Sequence, residues 1–367
     1  MDLEKLKNAA NDPIGALKAR SKESGRPLGL AFSSYFPLEV LDAFDLEGAW
    51  LPPVPRPDYP DGEAVLQAFV CNCVRSSADI ILHGDLPVGL VAATTGCDSR
   101  LALATVLRTA GVGAPVVMLR LPVTVGNPLA VEQGSRALAG FCDETRAALG
   151  RDLDLEVLKK ARDIREKGRE LLTGLFENMG DGGLPASSVY TAAVAAQVMD
   201  PGDLIKALEE APRADKAPVN GIRCMLSGSS IPSPRIVEGL EAIGVKVVAD
   251  DTCTGTRAAC RRTVKGVDDP VRAIGASLIN RPLHGPTMLE DGHARIQQIV
   301  DTAVRRRAQA VIMLHYKFCD PHAFEAPGLT EALERAGVRS IVLEADREPG
   351  LTARDRTRVE TLLEAIG

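Results

Sequence analysis

No stretch of this 367-residue sequence reaches the roughly 18–20 uninterrupted apolar residues that a membrane-spanning helix needs. The opening residues, MDLEKLKNAANDPIGALKARSKESG, are charged and amphipathic and lack the apolar core of a secretion signal. A cytoplasmic protein without membrane contact is therefore expected. Positive charge is also short: the formal net charge is −6, which offers no basic face to nucleic acid. The one dense basic run, Arg305-Arg306-Arg307, falls in a helical pattern among apolar neighbours and reads as a solvated face. No Cys-x-x-Cys pair suggests a zinc ribbon or a thioredoxin-like redox site. No Gly-x-x-x-x-Gly-Lys-Ser/Thr loop is present to cradle nucleotide phosphates.

What remains is an ordinary globular composition, 45% hydrophobic and 25% charged, which argues against disorder. The length exceeds what one core usually supports and suggests two domains of roughly 100–200 residues each. Cysteine is the residue that stands out, with eight copies. In a reducing compartment these point away from a disulfide framework and towards free thiols, metal ligands or catalytic groups.

Short apolar runs alternate with longer segments of helical period. The runs that read as strands are LGLAF (28–32), GLVAAT (89–94), PVVMLRL (115–121), IRCMLS (222–227), VKVVAD (245–250), AVIMLH (310–315) and SIVLEA (340–345). Most are apolar throughout, as parallel strands buried on both faces are, with helices as crossovers. Between about 127 and 212 the pattern is helix after helix. The expected class is α/β, divided into an N-terminal helical segment (1–27), a first α/β lobe (28–125), a helical linking region (126–215) and a second α/β lobe (216–367).

The two lobes look related. GLAFSSYFPLEVLDAFDLEGAWLP and CMLSGSSIPSPRIVEGLEAIGVKVVAD share the order strand, Ser-Ser turn, proline-started helix, strand. VGLVAATTGCDSRLALATVLRTAGVGAPVVMLRLP and QAVIMLHYKFCDPHAFEAPGLTEALERAGVRSIVLEAD share strand, polar turn, Cys-Asp, helix, Gly-Val turn, strand. Duplication of a lobe explains this, as would two convergent βαβ units.

Cys97 and Cys319 thus each follow a strand, at the sheet edge where α/β folds bind ligands. Asp98 and Asp320 are expected to cap the following helices, with Pro321 suited to a first helical position. A thiol at a helix N-terminus is favoured as thiolate, the form that a soft metal or an iron–sulfur cluster requires. Cys71 and Cys73 fall in a helical pattern two residues apart, so they are expected to point about 200° apart, with only one facing the cleft. Cys253 follows another strand end. Cys142, Cys224 and Cys260 read as small buried apolar residues. On spacing alone a cysteine-ligated cluster, structural thiols and a nucleophilic cysteine all stay open.

At these residues the chain resembles the iron–sulfur subunits of the 2-hydroxyacyl-CoA dehydratase and benzoyl-CoA reductase family. The matching pieces, in order, are CNCVR (71–75), TGCDSR (95–100), LSGSSIPSP (226–234), VVADDTCTGTR (247–257), KFCDPHAFE (317–325) and RTRVETLLE (356–364). The resemblance implies two Rossmann-like lobes with a [4Fe–4S] cluster, or a larger double cubane cluster, in the cleft between them. It implies Cys71, Cys97 and Cys319 as ligands. Cys71 is preferred to Cys73 for its spacing to Arg75, and Cys253 is either a further ligand or part of the pocket wall.

The activity implied is a radical-type dehydration of a 2-hydroxyacyl-CoA by one recycled electron. The alternatives are a benzoyl-CoA-reductase-type subunit, a double-cluster small-molecule reductase, or a cluster-free scaffold subunit. A homologous second subunit or a homodimer is expected, together with a separate ATP-hydrolysing iron–sulfur activator. Ser33, Ser34, Ser229 and Ser230 could present hydroxyls or N–H groups to a thioester or phosphate, or merely form turns. His315, Lys317 and His322 could tune the cluster or move protons. Arg75 and Arg257 could hold substrate or cluster charge.

Overall fold

A computed structural model describes residues 2–181, 184–210, 220–261, 264, 266–288 and 294–367. Eight strands are present among them: β1 (Leu28–Ala31), β2 (Glu47–Trp50), β3 (Val88–Thr94), β4 (Val116–Leu119), β5 (Ile222–Gly228), β6 (Val245–Thr252), β7 (Ala310–Tyr316) and β8 (Arg339–Ala345). Each apolar run singled out in the sequence forms one of them. They build two four-stranded sheets, ordered β2-β1-β3-β4 and β6-β5-β7-β8. Every pairing is parallel. The two orders are the same topology, so the internal likeness of the sequence is a likeness of fold: α/β, with two Rossmann-like lobes.

The central strands are apolar because both faces are covered. All seven residues of β7 and the last five of both β3 and β5 are buried, whereas β8, at the sheet edge, is only partly so. One hydrophobic core runs from the first sheet (Leu28, Val91) through Leu172, Phe176 and Val189 to the second sheet (Leu226, Ile312). The lobes therefore share packing. The helices Ala130–Leu149, Leu155–Glu177, Ala186–Ala195 and Pro201–Glu209 occupy the region read as all-helical. The first of these crosses Pro270–Ile279 at two glycines: a Cβ on Gly275 would lie 2.7 Å from the Gly134 carbonyl oxygen. The N-terminal helices Leu3–Asn11 and Pro13–Ser24 bury Leu6 and Leu17 in the shared core. The boundary expected at 215 and 216 lies outside the described residues. Among the described residues, no helix is long and apolar enough to cross a membrane.

In each sheet the chain reverses its direction of winding between the two middle strands. Those switch points lie between β1 and β3 and between β5 and β7, and crevices at the carboxyl ends of such strands are where this architecture binds ligands.

Candidate functional site

Five cysteines from four separate parts of the chain line one cavity of about 70 Å³: Cys71, Cys73, Cys97, Cys253 and Cys319. Three of them share a local structure. Cys97 follows β3 and is the N-cap of the helix Asp98–Thr109. Cys319 follows β7 and caps Asp320–Arg335, and Cys71 caps Asn72–Leu82. None of the three makes a side-chain capping bond, so three sulfurs sit at three helix N-termini, where the helix dipole favours negative charge.

Two local expectations change here. Asp98 and Asp320 are not the caps; each is the first helical residue, and the cysteine before it takes the cap position. Cys71 lies outside the helical turn, with φ −65° and ψ 149°. The 200° separation from Cys73 presumes helical geometry at both residues, so it does not apply, and both line the cavity.

Burial works against the helix ends. It pushes the Cys71 thiol up to about 12, with the neighbouring Cys319 adding to the effect. Cys73 is raised for the same reason. Cys319 is raised by burial as well, although the Ser229 hydroxyl at 3.6 Å and a backbone N–H from His322 favour its thiolate. These sulfurs ionise when a cation takes up their charge, which is the chemistry of a soft-metal donor set. Among the described residues no three His, Cys, Asp or Glu side chains converge to hold a single metal ion. Cys142 and Cys224 are buried elsewhere and Cys260 contacts Thr173 Oγ1 at 3.8 Å; none of the three lines the cavity.

The polar wall comes from both lobes. Ser34, Ser229 and Ser230 line it, from the loops after β1 and β5. Arg281 ties the loop after β1 to the short helix after β6, donating to the Ser34 carbonyl and to the Arg257 carbonyl, each at 2.9 Å. Arg257 is 1% exposed; it donates to the Gly228 carbonyl, and its Nε lies 3.5 Å from Asp251 Oδ1. That contact lacks hydrogen-bond geometry, and neither Nε nor Nη1 has a hydrogen-bond partner among the described residues. Tyr316 Oη and His322 Nδ1 are likewise without one. His322 lines the cavity, and the ring of His315 packs 5.2 Å from it. Burial and then Arg257 lower His315 to about 4, and His322 is lowered for the same reasons, so both rings are neutral at pH 7. Lys317 instead rests its amine 5.3 Å over the Phe318 ring.

Arg75 is not part of this wall. It donates to the Ala68 carbonyl and lies 3.5 Å from Glu63. Besides Arg257, a second cation that lines the thiol cavity is Arg100, which donates to Ser33 Oγ at 3.1 Å. Burial opposes its charge, but Cys97, Cys73, Cys253 and Cys71 outweigh burial and raise its pKa. The signal for Arg100 in the sequence is its place in TGCDSR, where an arginine three residues after Cys97 falls in the first turn of the helix that Cys97 caps.

The sequence pattern of the 2-hydroxyglutaryl-CoA dehydratase D-component matches residues 33–366, nearly the whole chain. The chain belongs to this family. Among similar proteins, the (R)-phenyllactyl-CoA dehydratase beta subunit of Clostridium sporogenes is 22% identical, covering 82% of this chain and 81% of its own. The lactoyl-CoA dehydratase subunit beta of Anaerotignum propionicum is 20% identical over 99% and 98% of the two chains. The (R)-2-hydroxyglutaryl-CoA dehydratase subunit beta of Acidaminococcus fermentans is 21% identical over 82% and 80%. Membership makes the chain a component of a dehydratase, and every strand from β2 to β8 lies inside the matched span, with β1 just before it.

Proposed function

We propose that this chain is the iron–sulfur subunit of a cytoplasmic, ATP-activated, radical-type 2-hydroxyacyl-CoA dehydratase, working with a homologous partner subunit and a separate ATP-hydrolysing activator. The observation that carries the reading is the convergence of five thiols from five chain positions on one buried cavity. Thiols spread around the wall of one cavity suit a polynuclear cluster, in which each iron takes its own thiolate. When bound, such a cluster supplies one-electron transfer at low potential and, at an iron without a protein thiolate, a Lewis-acid site.

This chain's residues do the rest. Cys71, Cys97 and Cys319 would hold the group from three helix ends, with Cys73 and Cys253 beside them. Among the described residues Arg257 Nε and Nη1, Tyr316 Oη and His322 Nδ1 have no hydrogen-bond partner, and Ser34 and Ser230 edge the same space. The shared core and the Arg281 bridge keep the two lobes closed over the thiols. An acyl-CoA as substrate and a partner subunit are supported by the relatives, which are beta subunits of 2-hydroxyacyl-CoA dehydratases.

The fifth thiol is the observation that favours a second reading, the larger double cluster of a small-molecule reductase. Anaerobic reconstitution followed by iron and acid-labile sulfide analysis decides between them: about four irons per chain for a single cubane, about eight for a double one. Turnover of a 2-hydroxyacyl-CoA with partner, activator and ATP then tests the reaction. A folded chain that takes up no iron under these conditions sinks both readings.

A further inference from the structure

Charges around the thiol cavity nearly balance without the sulfurs. Asp251 faces Arg257 at 3.5 Å and Arg295 at 2.7 Å, and Arg295 in turn meets Glu325 at 2.7 Å. Those two carboxylates and two guanidiniums form a largely buried set of equal and opposite charge. Arg100 stands outside it. Among the described residues no carboxylate lies within ion-pair distance of Arg100, and its bond to Ser33 Oγ uses one of a guanidinium's five N–H donors.

Its position is not that of a solvated arginine. Arg100 is the third residue of the helix capped by Cys97, and it lines the cavity. Ser33 Oγ, which accepts from Arg100, also accepts from the Tyr35 backbone N–H at 3.2 Å, so the anchor is itself held. An unpaired guanidinium among neutral thiols would be costly, because a partly buried charge needs an opposite one. Among thiolates holding an anionic cluster, it is matched.

We propose that Arg100 is the counter-charge of the iron–sulfur centre, a positioning residue whose N–H groups face the sulfurs and set the centre's reduction potential. The inference rests on the cluster reading above. Reduction adds one electron and hence one negative charge to the centre, and a fixed neighbouring cation favours that reduced form. Removing the cation makes the centre harder to reduce. Lysine keeps the charge but loses the planar fork, so it should restore part of the effect.

The test uses the full chain loaded with iron and sulfide anaerobically, with EPR-monitored redox titration of wild type, Arg100→Gln and Arg100→Lys. Arg108→Gln, on the same helix but bonded to the Val116 carbonyl, is the control. Arg100→Gln is expected to keep its iron and to shift the oxidised–reduced equilibrium at least tenfold towards oxidised, which is ~59 mV for one electron. Arg100→Lys should recover half or more of that shift, and Arg108→Gln should not move. An unchanged potential in loaded Arg100→Gln overturns the inference, and so does an equal shift in the Gln and Lys variants. Where Arg100→Gln folds but loses iron, retention of iron by Arg100→Lys supports the counter-charge, and equal loss in both refutes it. A wild-type chain that takes up no iron refutes the cluster reading itself, a result distinct from a loaded chain whose potential ignores Arg100.

Discussion

The Tyr190 hydroxyl donates to the Asp250 carboxylate at a buried contact immediately before the loop that carries Cys253. The same carboxylate accepts from Thr252 Oγ1 at 2.8 Å, from Thr256 N at 2.5 Å and from Thr256 Oγ1 at 2.7 Å. One side chain therefore pins both ends of the turn 252–256. Gly255 is required inside it, since a Cβ there would lie 2.2 Å from Asp250 Oδ2. Tyr190→Phe removes one donor and should cost about 1–3 kcal/mol in urea unfolding. Asp250→Ala strands several donors at once, so it should cost more and also speed alkylation of Cys253 in the iron-free chain. Equal alkylation rates in wild type and Asp250→Ala would show that the turn is held by something else.

The thiols divide into two sets with different expected behaviour. Serine at Cys71, Cys97 or Cys319 should each remove half or more of the bound iron, because a hydroxyl at a helix N-cap cannot replace a soft thiolate ligand. Cys142→Ser is the comparison: this thiol is buried in the helix Ala130–Leu149, is pushed up to about 12 by burial, and lies outside the cavity. It should lose some stability and no iron. Iron and sulfide analysis after identical anaerobic reconstitution reads both, and equal iron loss in all four variants would point to a general folding effect.

Much of this was legible in the sequence, and the parts that were not have physical reasons. Strands β3, β5 and β7 announce themselves because burial on both faces leaves them apolar throughout. Cys97 and Cys319 follow directly from those strands, and the equal sheet order follows from the repeated strand-turn-helix patterns. Cys71 was harder: cysteine is not a capping residue by preference, so nothing local marks Asn72 as the helix start. Arg75 was drawn towards the cavity by its spacing from Cys71, but its partner Glu63 sits on the helix Pro60–Val65, whose packing depends on tertiary contact. Arg257 and the charged set around Asp251 join residues 44 positions apart or more closely, and no local pattern encodes such a pairing.

Gly228 ends β5 with φ +127°, a conformation that side chains rarely adopt, and a Cβ there would stand 2.0 Å from the Leu314 carbonyl oxygen of β7. The next two residues are Ser229 and Ser230, on the cavity wall. Gly228→Ala combines backbone strain with a clash against a neighbouring strand, so a loss above about 4 kcal/mol is expected. Poor soluble yield and a lowered urea midpoint would report it. A variant as stable as wild type would mean that β5 and β7 can separate at this point without penalty.

Glu39 provides the clearest acid-side prediction. It is 1% exposed, bonded to Arg261, and 3.8 Å from Arg169. Burial alone would raise its pKa, but Arg261 and then Arg169 outweigh burial and bring it from 4.5 down to about 2. The unfolded chain therefore takes up a proton here before the folded chain does. The stabilisation is complete above about pH 4.5 and is lost as pH falls through about 2. A shift of this size corresponds to about 3 kcal/mol. Glu39→Gln removes the linkage, so it should be several kcal/mol less stable than wild type at pH 7. That gap should narrow steadily on acidification, because wild type loses what the variant never had. Urea unfolding of both proteins from pH 7 downwards measures the gap, and a gap independent of pH would show that Glu39 contributes packing in place of charge.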